Sequence, residues 1–304
     1  MIHCRRLVDL LLCARGCSSG TCRLVDRSLL LCAGVLLFLA GCAFLGATRP
    51  VAPFSIPLSE SPEEFRWAPF KWPHGTVLSY QLQGFVELTV KGQKSTEGLA
   101  QAGSFEARGQ TAKGFTRVEY QLAGKPQGTL FFDSGGQLLD IEAVTSEAAD
   151  ELKLLLGWNT LPSVRALFSE VLRINTPREI DLSSAEVFSG ARWARARMGM
   201  SPILRFKVTY QGFRKLGDQA VAVVVMKISN TAPVKQIDKD GNPVTVESGI
   251  WEHTEYRHPM HGYVIASYAT FFARAVSAAK GPVEILGIQS ATLDRGRSKG
   301  LPYD

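Results

Sequence analysis

The segment from 115 to 122 reads FTRVEYQL, and its apolar–polar alternation has the two-residue period of a β-strand with one buried face. The stretches on either side share that period. Before it, Val77, Ser79, Gln81 and the run Gly84–Val90 predict one strand, and Ser104–Arg108 alternates again. After it, Gly124-Lys125-Pro126 is a turn and Gly128–Phe132 a strand. Asp133-Ser134-Gly135-Gly136 is a tight hairpin turn, and Leu138–Val144 returns. Short turns between consecutive strands favour an antiparallel meander, because parallel strands need long crossovers.

A second β block begins near Leu204, where Phe206, Val208 and Tyr210 alternate. Ala220–Ile228 is a nearly continuous apolar run, the pattern of a strand buried on both faces. Asp240-Gly241-Asn242, inside Ile237–Val246, signals a hairpin. Trp251–Tyr256 and Gly262–Thr270 read as strands flanking His258-Pro259-Met260-His261, and Val283–Thr292 as the last strand. Between the blocks the spacing turns helical. Ser146–Leu156 carries Ala148, Leu152, Leu155 and Leu156 near one face, with Ser146 as a cap. A second helix starts at Leu161-Pro162-Ser163, with Val164, Leu167, Phe168, Val171 and Leu172 on one face.

The expected fold class is therefore α+β, mainly β: antiparallel sheet with two helices packed between or against the β blocks. The globular domain spans 76–292, with blocks 76–145 and 203–292 around helices in 146–175. The basic tail 293–304 is expected to fray. The run VLSYQLQGF at 77–85 loosely matches FKVTYQGF at 206–213, and each block continues to a Gly-led strand, at Gly128 and Gly262. A duplicated β unit explains this match, and so does convergence of strand composition.

Residues 42–75 form a spacer with Pro50, Pro53, Pro57, Pro62, Pro69 and Pro73, a composition that keeps a chain extended. Phe65, Trp67, Phe70 and Trp72 near its end are expected to pack on the first strands; the alternative is a docking motif.

Composition excludes several function classes. The formal charge is +6, but the first 41 residues hold five Arg and two Asp and no other charge, so the remainder carries only +3. That balance gives no footprint for nucleic acid. The six cysteines lie at 4, 13, 17, 22, 32 and 42, and none follows Cys42. After Cys42 there is thus no disulfide framework, no Cys-ligated metal and no cysteine nucleophile.

Ser28–Ala40 reads SLLLCAGVLLFLA after Arg23 and Arg27. About a dozen apolar residues suit a signal-peptide hydrophobic region and fall short of the roughly 20 needed to span a bilayer. The run ends in Leu39-Ala40-Gly41-Cys42, which resembles the lipobox of bacterial lipoprotein precursors. That resemblance implies cleavage before Cys42, a signal peptide over 1–41, acylation of Cys42, and a bilayer as first partner. Ala43 rather than Asp after the Cys leans toward the outer membrane. An uncleaved anchor is the other reading, since Ala43, Phe44 and Leu45 prolong the apolar run. The long stretch before the hydrophobic region fits a true start near Leu24 or Val25.

Signals for chemistry are sparse. Four histidines follow Cys42, and three of them, His253, His258 and His261, fall in WEHTEYRHPMH. Imidazole and carboxylate are good ligands for zinc, copper or nickel, and His253 and Glu255 share a face if the segment is a strand. These three His are the metal candidates; the alternative is polar positions around an exposed hairpin. Asp238-Lys239-Asp240-Gly241-Asn242 starts like a calcium loop, but its sixth position is Pro243 and its twelfth Gly249, so the turn residue and the bidentate ligand are missing. No nucleophile elbow, phosphate loop or dinucleotide fingerprint occurs, and no cofactor is expected. Arg192, Arg195 and Arg197 with Trp193 suit either lipid headgroups or solvent.

In outline, long consecutive strands with helices against one sheet resemble the open half-barrels of bacterial lipoprotein carriers and lipid-binding lipoproteins. The resemblance is architectural and carries no motif. It implies a non-enzymatic envelope lipoprotein, facing the periplasm or the exterior, that binds an apolar ligand, a lipid or an envelope protein. The rival is a metal-dependent or hydrolytic enzyme built on His253, His258 and His261.

Overall fold

Alternating strands joined by short turns build one sheet of 13 strands in the computed structural model, which describes residues 49–67, 69–145, 161–183, 203–237 and 243–302. The strands of the main path are β1 (Ile56–Pro57), β3 (Val77–Val90), β4 (Gln93–Gln110), β5 (Thr116–Leu122), β6 (Lys125–Phe132), β7 (Leu138–Ala143), β10 (Ile203–Leu216), β11 (Gln219–Asn230), β13 (Pro243–Arg257), β14 (Val264–Ser277) and β15 (Gly281–Leu293). Their order is β1-β10-β11-β13-β14-β15-β3-β4-β5-β6-β7. All pairs are antiparallel. β9 (Arg178–Ser183) joins β10, and β12 (Val234–Ile237) joins β13. The sheet is open, not a closed barrel.

Each block contributes one five-strand meander, β3 to β7 and β10 to β15 with β12 branching off, and the two run the same way across the sheet. They are joined where the last strand meets the first: β15 pairs with β3 from Val283↔Val90 to Leu293↔Tyr80.

Period-two alternation gives the sheet two faces. The inner face carries Leu78, Tyr80, Val86 and Leu88 of β3, Phe206, Val208 and Tyr210 of β10, and Phe271 and Ala273 of β14, all buried. The run 220–228, read as buried on both faces, is so over 221–224: Val221 and Val223 on one side, Ala222 and Val224 on the other, are at most 1% exposed, as is Met226. Ala220 is exposed, and Val225, Lys227 and Ile228 are half-buried.

Among the described residues there is one helix, α1 (Pro162–Ser169), with Pro at its start and Val164, Leu167 and Phe168 buried against the inner face at β10. It ends before Val171 and Leu172, which the helical spacing had included. Those residues form β8 (Val171–Arg173), paired with β2 (Glu64–Arg66), because a non-local partner strand outweighs the local helical pattern. The predicted helix over 146–156, the lipobox and signal segment, the hairpin turn at 240–242 and Arg192–Arg197 lie outside the described residues.

Two further expectations are corrected. The Pro-rich segment, read as a free spacer to residue 75, is part of the domain from Arg49 on. Arg49 binds Glu87 at 3.0 Å and lies over the Phe85 ring on the outer face. The Tyr256 hydroxyl donates to Pro53 O, and Ile56–Pro57 pair with the edge of β10. Ser61 then caps the β10 bulge, its Oγ accepting from Phe213 N–H at 2.8 Å, close to Gly212, which has a φ of +92° and where a Cβ would meet Ile174 Cδ1 at 2.9 Å and Ser61 Oγ at 3.0 Å. From there the chain enters the inner face. Phe65 stacks on Tyr210, Trp67 on Phe168, and Phe70 and Trp72 reach Tyr263 and Phe132. The segment is a strap that wraps one sheet edge; backbone pairing and buried aromatics order what its proline content alone would leave extended. The aromatics pack, though on the second block as well as the first.

The tail does not fray up to residue 302. Lys299 bridges to Val77, Ser298 Oγ accepts from Ser79 N–H, and Leu301 is buried. Its basic residues remain in solvent while its backbone continues the ladder beside β3.

Candidate inner-face site

On β13 the sequence Trp251-Glu252-His253-Thr254-Glu255-Tyr256-Arg257 puts Trp251, His253, Glu255 and Arg257 on the inner face and Tyr256 on the outer. The strand register fixes what surrounds them. Met226, His253, Ala269, Gln289, Gly84 and Leu99 stand opposite one another in a row across β11, β13, β14, β15, β3 and β4. The next row runs Val224, Glu255, Ser267, Ala291, Leu82 and Gln101. On the other side lie Trp251, Phe271 and Val86. Ala269, Ser267, Ala291 and Gly84 place short side chains or none among the polar His253, Glu255 and Gln289 and the larger apolar groups.

Arg257 organises the polar end. Its Nε donates to Glu255 Oε2 at 2.6 Å and its Nη1 to Gly262 O at 2.5 Å, while the guanidinium carbon sits 4.0 Å from the Trp67 ring centre. Both members of the ion pair have about one-seventh of their side chain exposed, 14% and 13%. Burial pushes the Glu255 carboxyl up, but Arg257 and His253 outweigh it and hold the carboxyl below its ordinary range. Tyr80, with its hydroxyl donating to Val264 O at 2.9 Å, is pushed up by burial.

His253 is the unusual member. Burial lowers its pKa, so the imidazole is neutral at ordinary pH. Its ring meets Trp251 edge-on at 5.2 Å, and its Nε2 is buried with no hydrogen-bond partner among the described residues. A buried polar atom left unpaired costs about 1–3 kcal/mol, so one in a native fold calls for an explanation.

The metal candidates do not come together. His258 and His261 are neighbours in the turn after β13, with ring centres 4.7 Å apart. His258 Nδ1 accepts the Met260 and His261 N–H groups at 3.3 and 3.2 Å, which makes it a turn-former. His253 lies five positions back along an extended strand, roughly 16 Å away at about 3.3 Å per residue. Among the described residues no group of three metal-ligating side chains occurs. The proximity of the three His in sequence is undone by strand geometry, which spreads what a helix would gather.

Arg257, Tyr80 and Gln289 were not singled out in the sequence, and Trp67 was named there only with the aromatics expected to pack on the strands or to form a docking motif. Arg257 was within reach, since it continues the alternation of His253 and Glu255. The others arrive through the β15–β3 pairing and the strap, which leave no local signal. A separate small cavity of about 150 Å³, lined by Ser79, Tyr80, Ala102, Ser104, Asp294 and Arg297 among others, lies apart from these rows.

No family model matches the chain, and no curated protein matches it. Among solved structures it is similar to a lipovitellin chain described by its lipid–protein interactions, at a TM-score of 0.43 and 11% identity, covering 77% of this chain and 26% of that one. It also aligns with a loop-deletion mutant of OmpT, an outer membrane protein of Vibrio cholerae, at 0.21 and 8%, covering 73% and 100%. A DUF1329 family protein from Desulfovibrio piger aligns at 0.18 and 9%, covering 75% and 88%. At these scores the likenesses carry no argument about function.

Proposed function

We propose that this chain is an exported lipoprotein of the cell envelope, fastened to a bilayer through acylated Cys42, with the outer membrane favoured. Its β domain binds a lipid-like amphiphile on the inner face without transforming it. The two meanders, running the same way across one sheet, support reading the blocks as copies of one β unit.

The observation that carries the binding reading is His253. A neutral imidazole whose buried Nε2 has no partner among the described residues stands beside the Glu255–Arg257 pair on a mostly apolar sheet face. Ligand sites combine mostly apolar lining with a few placed polar groups. An acyl chain suits Trp251, Phe271 and Val86, and a hydroxyl or carboxyl end suits His253 and Gln289.

The test is native mass spectrometry of the full chain purified from membranes. The wild-type protein should carry a non-covalent lipid adduct beyond its own acylation, and His253→Leu should lose it at least tenfold while keeping its fold. An adduct-free wild-type protein, with its extract empty of lipid, overturns the binding reading. An unacylated Cys42 overturns the anchoring.

A further inference from the structure

The outer face carries an apolar surface that the inner-face site does not use. Val51 and Phe54, on the strap, are 82% and 83% exposed. Ile250 and Phe272, directly opposite each other on β13 and β14, are 37% exposed each, and Val276 is 39% exposed. The register ties these to the strap's first anchor: Ile250, Phe272, Leu286 and Glu87 form one row across β13, β14, β15 and β3, and Glu87 holds Arg49. At about 4.8 Å between strands, Phe272 lies roughly 10 Å from that anchor.

Arg49 is only seven positions after Cys42. Seven residues reach at most about 25 Å even when fully extended. Acyl chains on Cys42 therefore leave the domain little freedom. The bilayer surface must lie within that reach of Phe85 and Glu87, on the outer face. Of the two faces, this one exposes large apolar side chains. Arg49 and Lys94, both largely in solvent and both bound to Glu87, supply cations at its border, where lipid phosphates attract them.

We propose that the outer face lies on the bilayer, with Val51, Phe54, Ile250 and Phe272 in the headgroup layer, so that the anchor and the strap together hold the domain face-down. This rests on the anchoring proposed above. Two or three acyl chains already give firm attachment, so the face contributes orientation more than affinity.

The chain supplies its own probe chemistry, because no cysteine follows Cys42 and an acylated Cys42 is blocked. The mature acylated protein, cleaved before Cys42, is reconstituted into vesicles of phosphatidylcholine and phosphatidylglycerol with a fraction of nitroxide-labelled lipid. A fluorophore is placed at Phe54→Cys, Phe272→Cys or, as control, Lys113→Cys in the β4–β5 turn. Quenching by the nitroxide lipid should be at least threefold stronger at positions 54 and 272 than at 113. Equal, weak quenching at all three in protein whose mass shows acylation overturns the orientation and leaves the anchoring standing. Shielding of 54 and 272 that depends on protein concentration and not on lipid gives the face to a second copy and also overturns it. A mass without acylation removes the anchoring and the orientation with it.

Discussion

Arg257 lies over the indole of Trp67, with 4.0 Å between guanidinium carbon and ring centre, so a strand end in the last sixth of the chain is clamped by the N-terminal strap. The same guanidinium holds Glu255 and Gly262 O, and the same indole packs on Phe168 of α1. Trp67 thus joins the strap, the helix and the polar end of the candidate site.

Replacing it should be felt in all three. Trp67→Ala removes a large packed ring and a cation–π contact, and should lower stability by about 3 kcal/mol. Denaturant unfolding would show this as a lower midpoint with an unchanged slope. A loss below about 0.5 kcal/mol would mean that the strap is dispensable.

The buried imidazole predicts a pH dependence with a definite sign. The folded-state pKa of His253 lies below the ordinary 6.5, so the unfolded chain takes up the proton first. Its contribution to stability is complete above 6.5 and is lost as pH falls toward the lowered folded value. Glu255, also lowered, adds a similar loss only below 4.5. Between pH 7 and 5 the wild-type midpoint should therefore fall more steeply than that of His253→Gln. Parallel profiles would contradict the burial of a neutral imidazole.

Ser61 fixes the strap to the sheet edge. Its hydroxyl accepts from Phe213 N–H at 2.8 Å, where the β10–β11 ladder is broken by a bulge between Tyr210 and Phe213. Ser61→Ala leaves that amide without its acceptor and should cost about 1–2 kcal/mol. Hydrogen exchange should localise the change to Phe213 and residues 56–61, with the centre of the sheet unmoved.

Tyr210 gives the opposite expectation. Its ring is fully buried, its hydroxyl has no partner among the described residues, and burial pushes the phenol up to about 12. A folded pKa above the ordinary 10 contributes stability below pH 10 that is lost as pH rises through 12. Tyr210→Phe keeps the Phe65 stacking and removes the unsatisfied group, so its stability should equal or exceed the wild type's by up to about 1 kcal/mol. Thermal unfolding at neutral pH checks this; a Tm drop of several degrees would reveal a hydrogen bond that the hydroxyl makes in solution.

The sequence disclosed what depends on neighbours along the chain. Alternation in 115–122, Phe206-Val208-Tyr210 and the apolar run at 220–228 all identified strands, the last of them buried on both faces over 221–224. It also placed His253 and Glu255 on one face. What it concealed is non-local. Nothing near Val283 or Val90 announces that β15 pairs with β3, yet that pairing unites the two blocks. Prolines at 50, 53 and 57 describe an unconstrained spacer until the edge of β10 supplies a partner. Val171 and Leu172 continue a helical stripe until β2 claims them as a strand. The three His looked like a cluster because they are close in sequence, and a strand with a turn separates them.

The central claim is that the inner face holds an amphiphile with its polar end at His253. The most direct measurement uses a fatty acid with a photoactivatable group at the far end of its chain, cross-linked to the mature acylated protein and mapped by peptide mass spectrometry. Binding as proposed places the label on inner-face residues of β14, β15 and β3, around Phe271 and Val86, and excess unlabelled fatty acid or His253→Leu abolishes it. Label confined to the strap around Val51 and Phe54, or spread evenly and indifferent to competitor, would contradict the account.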